Sequence, residues 1–383
     1  MFIALVAGVT AIAWAYLVMG RGRFWTSPVK DDTVPPLPAQ WPSVVVVVPA
    51  RNEAEHIAAS VGSLAAQVYE GRLDIIVVDD DSDDGTGDVA AGAGNNAGRP
   101  VTVIGSEGLP AQWTGKMWAL KQGITAAEQR FRPDYLLLTD ADIVHAPDTV
   151  AWLVAKATSG GYGLTSFMAK LRCESLAERM HVPAFIYFFQ MLFPFTWVKQ
   201  PNRATAAAAG GCVLLKAGAL RDAGGIDSIR NALIDDCALA QRMKAVGPIW
   251  LGLTERSHSI RPYEDFDSVR RMIARSAYAQ LRFSPLLLAG TMLGLALTFM
   301  APPLLALFAT GLPGFLGLLA WVAMALTMQP TLRLYRLSPL WGVALPAIAL
   351  LYAGYTLDSA YQHARKRGGQ WKGRVHVNAP GLQ

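Results

Sequence analysis

Hydrophobic residues follow two regimes along the chain: short apolar runs separated by amphipathic stretches in the middle, and long unbroken apolar runs at both ends. Residues 44–48 are five consecutive valines, too short for a buried helix and without polar alternation, which predicts a strand buried on both faces. The pattern continues as helix over 53–67, strand over 73–78, helix over 85–91, strand over 101–104, helix over 116–129 and strand over 135–139. Beyond Pro147 it predicts a helix at 149–157 and a strand at 162–169. Strands alternating with helices imply an α/β fold, Rossmann-like, with a mostly parallel sheet covered by helices on both faces. In such sheets ligands bind where the strands end.

The ends read differently. Residues 1–19 form an uncharged apolar run long enough to cross a bilayer, and the first basic residues, Arg21 and Arg23, follow it. That polarity favours an N-terminal anchor with Trp25 onward in the cytoplasm; a cleaved signal peptide is the alternative, supported by Ala11, Ala13 and Ala15 but lacking basic residues ahead of the apolar run. Residues 31–42 carry Pro35, Pro36, Pro38 and Pro42 and read as a stiff linker. The organisation expected is an anchor over 1–20, a linker over 21–42, a catalytic domain over 43–283, C-terminal membrane helices over 284–360 and a basic tail over 361–383. Within 284–360 lie three apolar runs, at 285–310, 314–328 and 340–357. Three crossings from a cytoplasmic domain would leave the basic tail outside, against the positive-inside rule, so a re-entrant run is an alternative and the number of crossings stays open. The aromatic stretch 182–198, with Pro183 and Pro194 inside it, reads as an interfacial helix or a buried one, with an interfacial helix favoured over a full crossing.

Composition narrows the partners. Charged residues make up 16% of the 383 and the net charge is +5, with basic residues flanking apolar runs instead of forming one patch, so lipid headgroups are favoured over nucleic acid. Cys173, Cys212 and Cys237 are odd in number and form no C-x-x-C pair, which argues against a disulfide framework. The six histidines show no zinc-ligand spacing.

Three acidic clusters carry the candidate chemistry. Asp79, Asp80, Asp81, Asp83 and Asp84 follow a buried strand and run into Gly85 and Thr86; carboxylates there accept hydrogen bonds from a base or ribose or help hold a metal, while the alternative is an acidic loop capping the next helix. Asp140 and Asp142 form a D-x-D at the end of another strand, where alternation points both the same way. Two such hard oxygen ligands suit Mg²⁺ or Mn²⁺ clamped on a diphosphate. Asp235 and Asp236 open a predicted helix, where one carboxylate could take a proton from an incoming hydroxyl and where acids are also favoured by the helix dipole alone.

Taken in order, these residues resemble the family 2 glycosyltransferases with the GT-A fold. The likeness spans roughly residues 44–284 and rests on PARNE from Pro49 to Glu53, on DDDSDDGT from Asp79 to Thr86, on Gly115 with Lys116, on the D-x-D, on Gly210 with Gly211 and on the acidic pair. It implies that Pro49, Arg51, Glu53, Asp79 and Asp80 line a nucleotide pocket, that Lys116, Asp140 and Gly211 lie at the donor, that Asp142 with Asp140 holds a divalent cation, and that Asp236, with Asp235 beside it, is the general base. The stretches LPAQWTGKMWAL, LLLTDADIVHAPD, AAAAGGC and ALIDDCALA are similar to the hopene-associated glycosyltransferases of bacterial hopanoid pathways. Two departures stand out: that branch has Glu-Asp where this chain has Asp235 and Asp236, and the Q-x-x-R-W motif of processive synthases is missing, with Arg271, Arg275, Tyr278 and Gln280 in its neighbourhood.

The expectation is a bacterial inner-membrane enzyme, its catalytic domain facing the cytoplasm. It would move one sugar from a nucleotide-sugar donor to a lipid acceptor with inversion: a hopanoid first, a polyprenyl phosphate second. A non-catalytic sugar-nucleotide-binding scaffold would not need both Asp142 and Asp236, and a transporter would carry polar groups inside its apolar runs, where almost none occur.

Overall fold

The computed structural model describes residues 1–365 and two short strands, Gln370–Trp371 and Arg374–Val375; most of the basic tail lies outside the described residues. The chain divides into two compact units, one built mainly from Val29–Arg172 and Trp197–Pro262, the other from Met1–Pro28, Cys173–Thr196 and Tyr263–Gln370.

The first unit holds an eight-stranded mixed sheet. Its strands are β1 (Val44–Ala50), β2 (Leu73–Asp79), β3 (Thr102–Gly105), β4 (Tyr135–Thr139), β5 (Ile143–His145), β6 (Leu164–Lys170), β7 (Cys212–Lys216) and β8 (Ile249–Ser259), arranged β3-β2-β1-β4-β7-β6-β8-β5. The half formed by β3, β2, β1 and β4 is parallel, as the strand and helix alternation predicts. The other half is not: β7 runs antiparallel between β4 and β6, and β8 pairs parallel with β6 through its first half and antiparallel with β5 through its second. All seven residues of β1 are buried, as a strand covered on both faces requires. Pro49, with no N–H to donate, lies past the last β1–β4 pair, Val47↔Leu138. One covering helix, Gly115–Arg130, comes closest at Gly123, where a Cβ would meet the side chain of Val47 and lie 2.8 Å from Val78 Cγ2. The expected linker is tied down at its start: Lys30 bridges to Leu253, Asp31 accepts from Thr254 Oγ1 and pairs with Arg256 at 2.8 Å, and Trp152 Nε1 donates to Thr33 O at 3.2 Å.

The second unit is helical. Among the described residues three helices are long and apolar enough to cross a membrane: Phe2–Gly20, Pro285–Phe308 and Gly311–Leu334. The helix Leu345–Ala364, from the third apolar run, is not one of them; it carries Asp358, which pairs with Arg270 of the helix Phe266–Gln280. Large side chains such as Leu286, Leu293, Leu307, Phe308 and Leu312 are exposed, whereas Thr10, Thr327 and Thr331 are buried, the reverse of a water-facing bundle. Widened turns at Tyr16–Gly20 and Ala296–Met300 interrupt the regular helix bonding, and carbonyls of the second are taken by Thr10 Oγ1 at Leu297 O (3.0 Å) and Trp14 Nε1 at Thr298 O (2.7 Å). Most of the aromatic stretch lies in the helix Leu176–Leu192, which contributes Ala184 and Tyr187 to a core with Phe299, Met324 and Ile348, as the buried alternative has it. Its N-terminus is closed by Glu178, fully buried, which accepts from the backbone of Glu174, Ser175 and Tyr263 at 2.7–2.9 Å.

Candidate active site

The C-terminal ends of β1, β2 and β4 lie side by side in the parallel half of the sheet; β2 and β4 run into acidic loops, and β1 into Arg51, Asn52 and Glu53. The first two loops are stitched together by side chains acting as surrogate backbone. Asp84 Oδ2 accepts from Ala54 N at 3.0 Å and Asp84 Oδ1 from Thr86 N at 3.0 Å, so one carboxylate caps the helices Ala54–Ala65 and Thr86–Asn96. Thr86 Oγ1 accepts from Glu53 N at 2.8 Å, Ser82 Oγ from Asn52 N at 3.0 Å, and Asn52 Oδ1 from Asp83 N at 3.1 Å. Arg51 donates to the carbonyls of Asp80 and Asp81 and lies 3.8 Å from the carboxylate of each. Asp79 Oδ1 accepts from Ser82 N at 3.1 Å. In this cluster Asp84 caps two helices, while Asp80 is buried beneath Arg51.

Next to these loops opens a cleft whose lining includes Pro49, Lys116, Thr139, Asp140, Gly210, Ile226, Ile229, Asp235 and Asp236. Lys116 sits in the first turn of its helix, which Thr114 Oγ1 caps by accepting from Met117 N. Its Nζ lies 2.8 Å from Asp140 Oδ1 and 3.4 Å from Asp235 Oδ2. Burial alone would depress the Lys116 ammonium, but Asp140 and Asp235 outweigh it and hold the group well above its ordinary range, so it stays charged. Burial raises the Asp140 carboxyl, Lys116 pulls it back, and Asp142 adds to the rise.

Asp236 is the group best matched to proton transfer. Its Oδ2 accepts from Gly210 N at 3.0 Å and its Oδ1 from Cys237 N at 2.7 Å, which fixes the carboxylate at the helix start. Burial and then the neighbouring Asp235 push it up to about 6, against the pull of Lys116 and of those two amides. A carboxylate with that affinity is ionised at neutral pH yet more basic than an exposed acid. Of the glycine pair, Gly210 lines this cleft; a Cβ on Gly211 would instead press on Ile143 at 3.2–3.3 Å, and its carbonyl accepts from Thr139 Oγ1 at 2.7 Å.

Asp142 belongs to a second constellation that includes a residue the sequence reading missed. Its Oδ2 accepts from Arg261 Nε at 2.9 Å and Ser259 Oγ at 3.1 Å, while Arg261 Nη2 reaches both oxygens of Glu53 at 2.6 and 2.7 Å. No local pattern marks Arg261, which lies more than a hundred residues from either acid and reaches them because β8 returns beside β5. A buried histidine braces the D-x-D from behind. Thr139 Oγ1 spends its proton on Gly211 O, so His145 Nε2 donates to it at 3.0 Å and Nδ1 accepts from Ser257 Oγ at 2.9 Å. Burial, and then His258, push His145 down to about 3, so it is neutral in that role.

Among the described residues no three His, Cys, Asp or Glu side chains gather as a metal cage. Asp140 and Asp142 nevertheless offer hard oxygen donors at the same strand end, and a magnesium-type ion takes one or two carboxylates and completes its shell from water and phosphate. Their hard carboxylate oxygens have the chemistry such an ion takes, while in this structure Asp140 pairs with Lys116 and Asp142 with Arg261.

Comparison with known proteins agrees with this layout. Residues 45–224, just under half of the chain, match the glycosyl transferase family 2 model. An N-acetylglucosaminyltransferase of Mesorhizobium japonicum is 34% identical over 153 residues, 39% of this chain; the chain spans only 33% of that protein's length. The mannosyltransferase PcManGT of Pyrobaculum calidifontis, solved with GDP-Man and Mn²⁺, superposes with a TM-score of 0.54 at 19% identity, covering 94% of this chain and 99% of its own. The fold is therefore the GT-A fold of glycosyltransferases, and the stretch matching family 2 is the one that carries Glu53, Asp79, Lys116 and the D-x-D.

Proposed function

We propose that this chain is a membrane-bound, inverting glycosyltransferase that moves one sugar from a nucleoside diphosphate sugar to a lipid acceptor. The observation that carries the reading is the cleft in which Asp236, raised to about 6, stands with Asp235, Lys116 and Asp140. Asp236 accepts the proton of an acceptor hydroxyl; the hydroxyl oxygen bonds to the anomeric carbon as that carbon's bond to the diphosphate breaks, and the diphosphate leaves with the electron pair. Lys116 supplies positive charge in the cleft where the leaving group accumulates negative charge. A divalent cation held by Asp140 and Asp142 would offset the charge of the departing diphosphate. Direct displacement with one base inverts the anomeric centre.

A lipid acceptor is supported by the three helices long and apolar enough to cross a bilayer in the same chain. The resemblance of residues 109–120, 136–148, 206–212 and 232–240 to the hopene-associated branch makes a hopanoid the first acceptor to offer and a polyprenyl phosphate the second.

The test is turnover of UDP-, GDP- and TDP-sugars by the detergent-purified chain with Mn²⁺ or Mg²⁺, for wild type, Asp142→Ala and Asp236→Ala. One donor should be consumed; Asp236→Ala should bind it but lose turnover about a hundredfold or more, and Asp142→Ala should lose metal dependence. If wild type binds no donor with either metal, the nucleotide-sugar reading fails. Tight binding without turnover under any acceptor would favour a scaffold.

A further inference from the structure

The third apolar run continues as the helix Leu345–Ala364, and its neighbours fix its depth and direction within the helical unit. Leu345, Ile348 and Ala349 lie in the core with Phe299, at the widened turn midway along the span Pro285–Phe308. At the other end Ser359 Oγ accepts from Tyr278 N at 3.1 Å, and the His363 ring stacks on Phe283 at 4.3 Å, just before that span begins. The helix therefore runs antiparallel beside half of the span, a length of about 22 Å at 1.5 Å per residue. The approach to it from Leu334 is equally short. Gln329 Nε2 donates to Pro339 O at 3.1 Å, a Cβ on Gly342 would lie 2.6 Å from Ala325 O, and Trp321 Nε1 donates to Val343 O at 3.1 Å. Residues 339–343 thus turn back beside the second half of the span Gly311–Leu334 and reach its middle. Non-helical backbone within a bilayer must have its polar groups satisfied by protein, and Gln329 and Trp321 do this for two carbonyls of the turn. Only the first half of Leu345–Ala364 is apolar; Asp358, Ser359, Gln362 and His363 gather in the second, which suits an exit through headgroups and not a crossing of about 20 apolar residues.

We propose that residues 335–364 are a re-entrant insertion that enters the bilayer from the side where the first span ends, reaches its middle and leaves on the same side. This rests on the membrane-bound reading of the chain and not on its choice of donor. The spans then number three, Phe2–Gly20, Pro285–Phe308 and Gly311–Leu334. The shared side is marked within the helical unit: Phe24, just past the first span, and Thr327, near the end of the third, both contact Tyr187. Charge agrees with it, since Arg21, Arg23, Arg282, Arg333 and Arg336 flank span ends there, whereas Ala309 and Thr310 join the second and third spans without charge. The basic residues after His363 then follow the positive-inside rule, which a fourth crossing would break. The partner of this surface is the acyl chains of one leaflet. Leu340, Val343, Leu350 and Leu357 are exposed along the insertion and meet lipid on that side alone, so the unit displaces more lipid from that leaflet than from the other.

The experiment places the full-length chain in sealed right-side-out and inverted vesicles, with Thr310→Cys, Ser338→Cys and Ala364→Cys made one at a time. A membrane-impermeant maleimide labels each, read above the level of the unsubstituted chain. All three positions are exposed, so the substitutions leave the packing alone. Thiols at 338 and 364 should react from one side, and the thiol at 310 only from the other. Reaction at 364 from the side of 310 means a fourth crossing and overturns the proposal, as does reaction at 338 from that side. A helix lying flat on the membrane would label in the expected way too, so nitroxides on Val343→Cys and Leu357→Cys measure depth by collision with oxygen against a nickel chelate. The label at 343 should lie about 20 Å deeper than the label at 357, and equal depths refute the insertion. Retention in carbonate-washed membranes tests the membrane-bound reading separately: a chain that washes off loses that reading and the insertion together, whereas a retained chain labelled at 364 from the side of 310 loses the insertion alone.

Discussion

Replacing Asp235 by Asn should move the acid limb of the pH–rate profile downward. Asp236 is raised to about 6 first by burial and next by the Asp235 charge, while Lys116 works in the opposite direction. Asp235→Asn leaves the burial intact, deletes the repulsion, and frees Lys116 from the partner it holds at 3.4 Å while the 2.8 Å bond to Asp140 stays. Neighbouring carboxylates at an effective dielectric near 20 repel by roughly 1–2 kcal/mol, equivalent to about one pH unit. The base form of Asp236 in wild type is lost as pH falls through about 6; in the variant the loss should centre about one unit lower. Between pH 7 and pH 5 the ratio of variant to wild-type kcat/KM should then rise about fivefold. The assay is donor turnover across pH 4.5–8 with the acceptor saturating, and Asp236→Asn as the control in which the limb disappears. An acid limb that stays at 6 or moves up in Asp235→Asn would refute Asp236 as the titrating base. The linkage to stability has a definite sign. With its folded affinity above the unfolded value, Asp236 favours the fold most below about pH 4, and that contribution is lost as pH rises through about 6, up to about 3 kcal/mol in all.

Two further outcomes concern the scaffold. Gly123→Ala should destabilise the chain by about 1–3 kcal/mol, since the new methyl meets Val47 and Val78 in a packed face, and thermal unfolding monitored by circular dichroism should show a lowered Tm; an unchanged Tm would mean the helix and sheet are not in that contact. Asp84→Ala removes the cap shared by two helices, so about 1–2 kcal/mol of stability should be lost and nucleotide affinity should fall with it, because one of the ties between the two loops, Ala54 N to Asp84, is gone; calorimetric unfolding with and without UDP checks both.

The positions of β1, β2 and β4, of the helix Gly115–Arg130 and of the acids at the strand ends were all readable from local pattern, because a parallel half-sheet places its ligating residues where apolar runs stop. Valine runs and 3.6-residue periodicity are properties of neighbours in the chain. The antiparallel pairing was not readable: β5 is three residues long, and helices separate β6, β7 and β8 just as they separate the parallel strands, so the direction of pairing is set by contacts across the sheet.

The same boundary runs through the candidate site. The family resemblance pointed to Asp140, Asp142, Lys116 and Asp236 as groups able to work on a diphosphate sugar, and the place of the acids at strand and helix ends marked the D-x-D and the acidic pair by itself. Which acid faces which cation was decided only by tertiary structure. The D-x-D divides, Asp140 going to Lys116 and Asp142 to Arg261, because the helix bearing Lys116 follows β3 and the segment bearing Arg261 follows β8. Likewise Asp235 and Asp236 are chemically identical in the sequence. Asp236 accepts from Gly210 N and from Cys237 N and is raised to about 6 by burial, while Asp235 turns to Lys116, and neither the burial nor the Lys116 contact exists until the chain has folded.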